Sequence, residues 1–144
     1  MTPAILGIDT RLTLLAAGLI FLLALGLGVW KYRQITLAAD HRAHPYTDIA
    51  HRAALLYAFA TMLFAVFVEL SAWPAWVNLT ATGVAVFFFV AAIATYILHG
   101  ARRDTTNQFA HPVAGTGFFM ALLIAGEMGG FSVVLAGFVA AQFF

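Results

Sequence analysis

A chain of 144 residues that is 63% hydrophobic and only 9% charged, with a mean hydropathy of +0.95, carries more apolar surface than a water-soluble domain of this length exposes. The formal net charge of +1 argues against a nucleic-acid partner. The lack of cysteine excludes disulfides, thiolate ligands and a thiol nucleophile, leaving five histidines as the richest source of ligands and acid–base groups.

A bilayer-spanning helix needs about 20 mostly apolar residues. Four segments qualify: Leu12 to Trp30, Ala50 to Trp73, Val77 to Leu98 and Val113 to Phe143. The expected fold is therefore an all-α, four-helix transmembrane bundle, a single integral membrane domain over residues 1–144. Met1 to Thr10 lacks the basic start of a secretory signal and no small-residue cleavage site precedes the polar loop, so the first segment reads as a true span.

The first connection, Lys31 to Ile49, and the third, His99 to Pro112, share one side of an antiparallel four-span chain. Lys31, Arg33, Arg42, Arg52, Arg102 and Arg103, six of the seven basic residues, gather there and leave Arg11 opposite. The positive-inside rule makes that side cytoplasmic and puts both termini and the Ser71 to Asn78 turn outside, in a bacterial inner membrane. Trp73, Pro74 and Trp76 suit an outer interfacial turn, and Trp30, Tyr32 and Tyr46 an inner aromatic belt.

The second span reads as a helix beginning at Pro45, because proline loses nothing at the first helical position. His44, Asp48, His51 and Leu55 then recur at spacings of three and four along one stripe. Gly26 and Gly28, Ala91-Ala92 with Thr95, and Gly126 with Gly129-Gly130 permit close helix packing. A homo-oligomer with sites between subunits is expected, since four spans enclose little interior.

All five histidines, His41, His44, His51, His99 and His111, fall at the cytoplasmic end. His41 and His111 suit a polar interface. His51 lies about a turn inside its helix and opens an unbroken apolar run, where an imidazole needs a partner, a metal or a proton path. Tyr57 lies about 9 Å deeper on that helix, and Tyr96 and His99, which His51 is expected to face, close the third span at the same end. Asp104 and Asn107 follow in the loop. Together with Phe87, Phe88, Phe89, Phe118 and Phe119 they suggest a pocket for a small apolar ligand or a flat aromatic macrocycle.

Three chemistries compete for this end of the chain. Asp48-x-x-His51 is half of a carboxylate–histidine metal motif that His44 and His99 could complete. A haem on a single axial histidine is the second. The third is a proton or cation path through Glu69, about 27 Å from His51 along the helix, and Glu127, with the two acids alternatively sharing a proton or bonding a neighbouring serine or threonine such as Ser71 or Ser132. No serine elbow, P-loop or dinucleotide fingerprint is present.

Leu25-Gly26-Leu27-Gly28-Val29-Trp30 closing the first span, Ala50-His51 opening the second, and Asn107-Gln108-Phe109 before the fourth resemble the styrene oxide isomerase and hydroxylaminobenzene mutase group of four-span bacterial membrane proteins. That resemblance implies a homotrimer with haem b between subunits, the histidine opening the second span as axial ligand, and iron acting as Lewis acid on an epoxide oxygen to give an aldehyde. His51 is the matching ligand. The isomerase has an asparagine six residues after its ligand, and here Tyr57 stands there. Tyr57 or Tyr96 then becomes the donor to the substrate oxygen, with Asn107 and Asp48 as further candidates. The leading expectation is an isomerase-like haem protein acting on a small apolar oxygenated substrate. Its rivals are a non-catalytic membrane subunit with a His- and Arg-rich face, and a small transporter using Glu69 and Glu127.

Overall fold

The computed structural model describes residues 5–144; Met1 to Ala4, part of the segment that lacks a basic start, lie outside them. Four helices follow in order: α1 Ile8–Leu37, α2 Pro45–Glu69, α3 Ala75–Arg102 and α4 Thr116–Phe143. Each is long and apolar enough to cross a membrane, and no strand occurs among the described residues. This is the all-helical, four-helix architecture expected from the hydropathy.

The helices differ from the expected spans at their ends, for local reasons. With 30 residues α1 is about 45 Å long, longer than a hydrocarbon core of about 30 Å, which leaves length for its last turns to carry the polar Lys31 to Gln34 stretch past such a core. Pro45 does open α2, and the His44 side chain caps it by accepting from the Tyr46 N–H. α2 ends at Glu69 rather than Trp73, because the chain turns through Ser71–Pro74 before α3. α4 starts at Thr116 rather than Val113, after Gly115, whose φ of 93° is costly for any residue with a Cβ.

Small residues decide the packing. Along α1 the buried positions Thr10, Thr13, Ala17, Ile20, Ala24 and Leu27 keep the three–four spacing of a coiled-coil seam, and Gln34 follows one heptad on. Facing them, α2 buries Ala50, Ala54 and Ala58, so the backbones approach closely and bury Ile20, Ala24 and Leu27 with Ile93 of α3. Further along, Phe64 and Val68 of α2 pack with Ala81, Ala85 and Phe89 of α3 and Val134 of α4 in a second cluster. α2 touches every other helix, whereas α1 and α4 do not meet.

Side chains pin the two ends. At one, Thr10 Oγ1 donates to Glu69 Oε2 at 2.6 Å, Asn78 Nδ2 donates to Asp9 Oδ2 at 2.9 Å, and Gln142 Nε2 donates to the Leu70 carbonyl at 3.3 Å. At the other, the His44 N–H donates to Gln34 Oε1 at 2.9 Å and the Gln108 N–H to the Tyr46 hydroxyl at 2.7 Å. The start of α1 and the end of α4 therefore lie at one end of the bundle, and the two histidine-rich connections at the other.

Candidate functional site

At the histidine-rich end Tyr46 joins three segments. Only 4% exposed, its ring stacks on Tyr96 at 6.0 Å and tilts over His99 at 5.1 Å, while its hydroxyl holds the α3–α4 loop through Gln108. The sequence offers Tyr46 only as an interfacial aromatic; its place two residues after the helix-capping histidine was the available signal. Burial, and then the positive charge of Arg103, hold the His44 imidazole below the ordinary histidine range. That keeps Nδ1 available to accept the Tyr46 N–H.

The stripe His44, Asp48, His51 separates once the helices pack. His44 is spent on the cap. Asp48 pairs with Lys31 of α1 at 2.5 Å and with Arg52 at 3.1 Å. His99 Nδ1 bonds Asp104 Oδ1 at 2.8 Å. His44, Asp48 and His99 thus each have their own partner, and among the described residues no three histidine or carboxylate side chains converge as a metal-holding group.

His51 turns toward α1, which corrects the expectation that it faces Tyr96 and His99. Its Nδ1 lies 2.9 Å from the Ala24 carbonyl. A carbonyl only accepts, so Nδ1 carries a proton, and in the neutral imidazole Nε2 then presents a bare lone pair. Among the described residues Nε2 has no hydrogen-bond partner and is not fully buried. Gly28 makes the room: a Cβ there would stand 2.9 Å from His51 Cε1.

On the other side of α2 a cavity of about 620 Å³ opens between α3, α4 and the loop that joins them. Tyr57 and Tyr96 line it, as do His99, Asp104, Gln108 and His111 at the polar end and Phe119, Met120 and Leu123 at the apolar end. Tyr57 is fixed by stacking on Phe89 at 4.3 Å. The hydrogen bond from His99 holds the Asp104 carboxyl below the usual carboxylate range. The cavity therefore joins an apolar wall to two phenols and an imidazole–carboxylate pair. It suits a small apolar molecule bearing one oxygen function.

Other expected residues fall elsewhere. Asn107 shapes the loop, its Oδ1 accepting from the Phe109 N–H at 3.0 Å, and its neighbour Gln108 reaches the cavity instead. His41 is exposed in the first connection, with a φ of 51°. Glu69 bonds Thr10 rather than Ser71, whose hydroxyl accepts from the Trp73 N–H. Glu127 stands apart from Glu69, within electrostatic reach of Tyr57 and Tyr96, and among the described residues its buried Oε1 has no hydrogen-bond partner. No family model, curated protein or solved structure matches this chain.

Proposed function

We propose that the chain is a haem b protein of the bacterial inner membrane, an isomerase-like enzyme that rearranges a small apolar oxygenated substrate of the epoxide type. One observation carries this reading: the His51 imidazole is oriented by the Ala24 carbonyl so that Nε2 is left bare. A backbone carbonyl on the far ring nitrogen is what fixes the tautomer and raises the basicity of a metal-binding histidine. When bound, haem b supplies a Lewis-acidic iron for the substrate oxygen.

The remaining work belongs to the chain's own side chains. Tyr57 and Tyr96 donate hydrogen bonds to the substrate oxygen, and Phe119 and Leu123 keep water from the reacting carbon. His51 lies on the α1 side of α2 and the two tyrosines on the α3 side. The reading therefore requires these halves to meet across a subunit boundary, in keeping with a homotrimer. The basic end, with its histidines, faces the cytoplasm.

Protein purified in mild detergent after expression with ample haem is expected to show a Soret band that His51→Ala abolishes. No band in the wild type sinks the reading, and a stoichiometric partner co-purifying without cofactor replaces it with a non-catalytic subunit. The unpartnered Glu127 carboxyl oxygen favours one further reading, a small proton transporter. Proton flux in liposomes that Glu127→Gln abolishes would establish it.

A further inference from the structure

A second cleft, of about 350 Å³, opens at the same end of the bundle and shares no lining residue with the tyrosine cavity. α1 contributes Trp30, Arg33, Gln34 and Leu37, at the three–four spacing of one helical face, and Arg103 enters from the end of α3. Gly100 makes this approach possible, since a Cβ there would stand 3.2 Å from the Trp30 ring and closer still to Thr47. Arg103 caps α3 in the left-handed conformation, with a φ of 53° that suits glycine better.

The Gln34 carboxamide oxygen is taken by the His44 N–H. Among the described residues the two arginines of the cleft, Arg33 and Arg103, form no ion pair. Asp104, next in sequence, is held by His99 at the other cavity, and Asp40 accepts from the Arg42 N–H. A cation at a helix C-terminus offsets the helix dipole, which accounts for Arg103 alone. It does not account for a second arginine brought to the same cleft from another helix.

We propose that this cleft binds a phosphate ester anion between Arg33 and Arg103. Guanidinium forks match phosphate oxygens in bidentate fashion, and Trp30 and Leu37 offer apolar surface to the esterified carbon chain. The cleft lies at the ends of α1 and α3, both long and apolar enough to cross a membrane, and the end of a spanning helix is where lipid phosphates would be met. The same chemistry is available from an anionic phospholipid and from a soluble phosphate ester.

Thermal unfolding of the full chain in detergent distinguishes these sources. Phosphatidylglycerol, phosphatidylcholine and glycerol 3-phosphate are titrated separately. The expected result is a rise in midpoint with phosphatidylglycerol but not phosphatidylcholine, with the half-maximal concentration raised about fivefold by Arg33→Gln or Arg103→Gln. The double variant loses the response, and Arg42→Gln, outside the cleft, keeps it. An arginine-dependent response to glycerol 3-phosphate as well assigns the cleft to a soluble ester and upholds the proposal. Arg103→Gly tests the guanidinium in a backbone conformation glycine prefers, so its loss of response is not attributable to misfolding. Equal responses in the wild type and the double variant, or no response to either anion, overturn the proposal.

Discussion

Gly28 of α1 lies directly under the His51 imidazole of α2, with no space between them for a methyl group: a Cβ at position 28 would stand 2.9 Å from Cε1 and 3.4 Å from Nδ1. Gly28→Ala must therefore push the ring away and weaken its 2.9 Å bond to the Ala24 carbonyl. The expected cost is about 1 kcal/mol, read as a lower unfolding midpoint, with a weaker Soret band if His51 binds haem. Gly26→Ala is the matched control. Nothing lies within 4 Å of a Cβ there, so the helix gains about 0.5–1 kcal/mol from the better helix former. Equal effects at the two glycines would show that His51 does not rest on Gly28.

The Tyr46 hydroxyl is the acceptor that ties the α3–α4 loop to α2. Tyr46→Phe preserves the stacking on Tyr96 and removes only that acceptor, leaving the Gln108 N–H unpaired. A loss of about 1 kcal/mol is expected, together with faster amide exchange at Gln108 and its neighbours and unchanged exchange in α1. Uniformly faster exchange would mean that the ring, rather than the hydroxyl, holds this end together.

The Asp104 carboxyl is depressed chiefly by its hydrogen bond from His99. A carboxyl whose pKa is lower folded than unfolded contributes stability that is complete above its unfolded value of about 3.9 and is lost as pH falls through the lower folded value. Asp104 should thus add nothing to the pH dependence between 5 and 7, and its share should disappear below about pH 4. Amide chemical shifts of residues 104–108 through an acid titration check this. Asp104→Asn should abolish the acid step; a step that survives belongs to another group.

Much of this arrangement was legible in the sequence because it is local. Apolar runs long enough to span a bilayer gave four helices, and Pro45 gave the start of α2. What the sequence hid was rotation and long-range pairing. Six residues along a helix turn about 600°, so Tyr57 lies about 120° around α2 from His51; the two cannot share a face. The buried stripe Ala50, Ala54, Ala58 marks the side of α2 that meets α1, and it was the available sign that His51 belongs there. Asp9 and Asn78 are separated by 69 positions and show no local pattern that would pair them. Asn107 and Gln108 differ in role through the turn geometry of one loop, which composition does not encode.

Gly130 of α4 shows how closely the last helix is seated. A Cβ there would stand 2.5 Å from the Ala81 carbonyl oxygen and 3.2 Å from the Ala85 Cβ, so an added methyl meets backbone that cannot swing aside. Gly130→Ala must lift α4 from α3 beside Phe89 and Val134, at a cost of about 1–3 kcal/mol. The same displacement would widen the tyrosine cavity, since Leu123 and Phe119 line it from α4 while Tyr96 lines it from α3. Gly129→Ala, whose Cβ would enter open space, should leave the unfolding midpoint unchanged or raise it slightly. Unfolding of the two variants in detergent, followed by helix circular dichroism, separates them. Were both neutral, α4 would not be held against Ala81 at the closeness described, and the outer wall of the cavity would be adjustable rather than fixed.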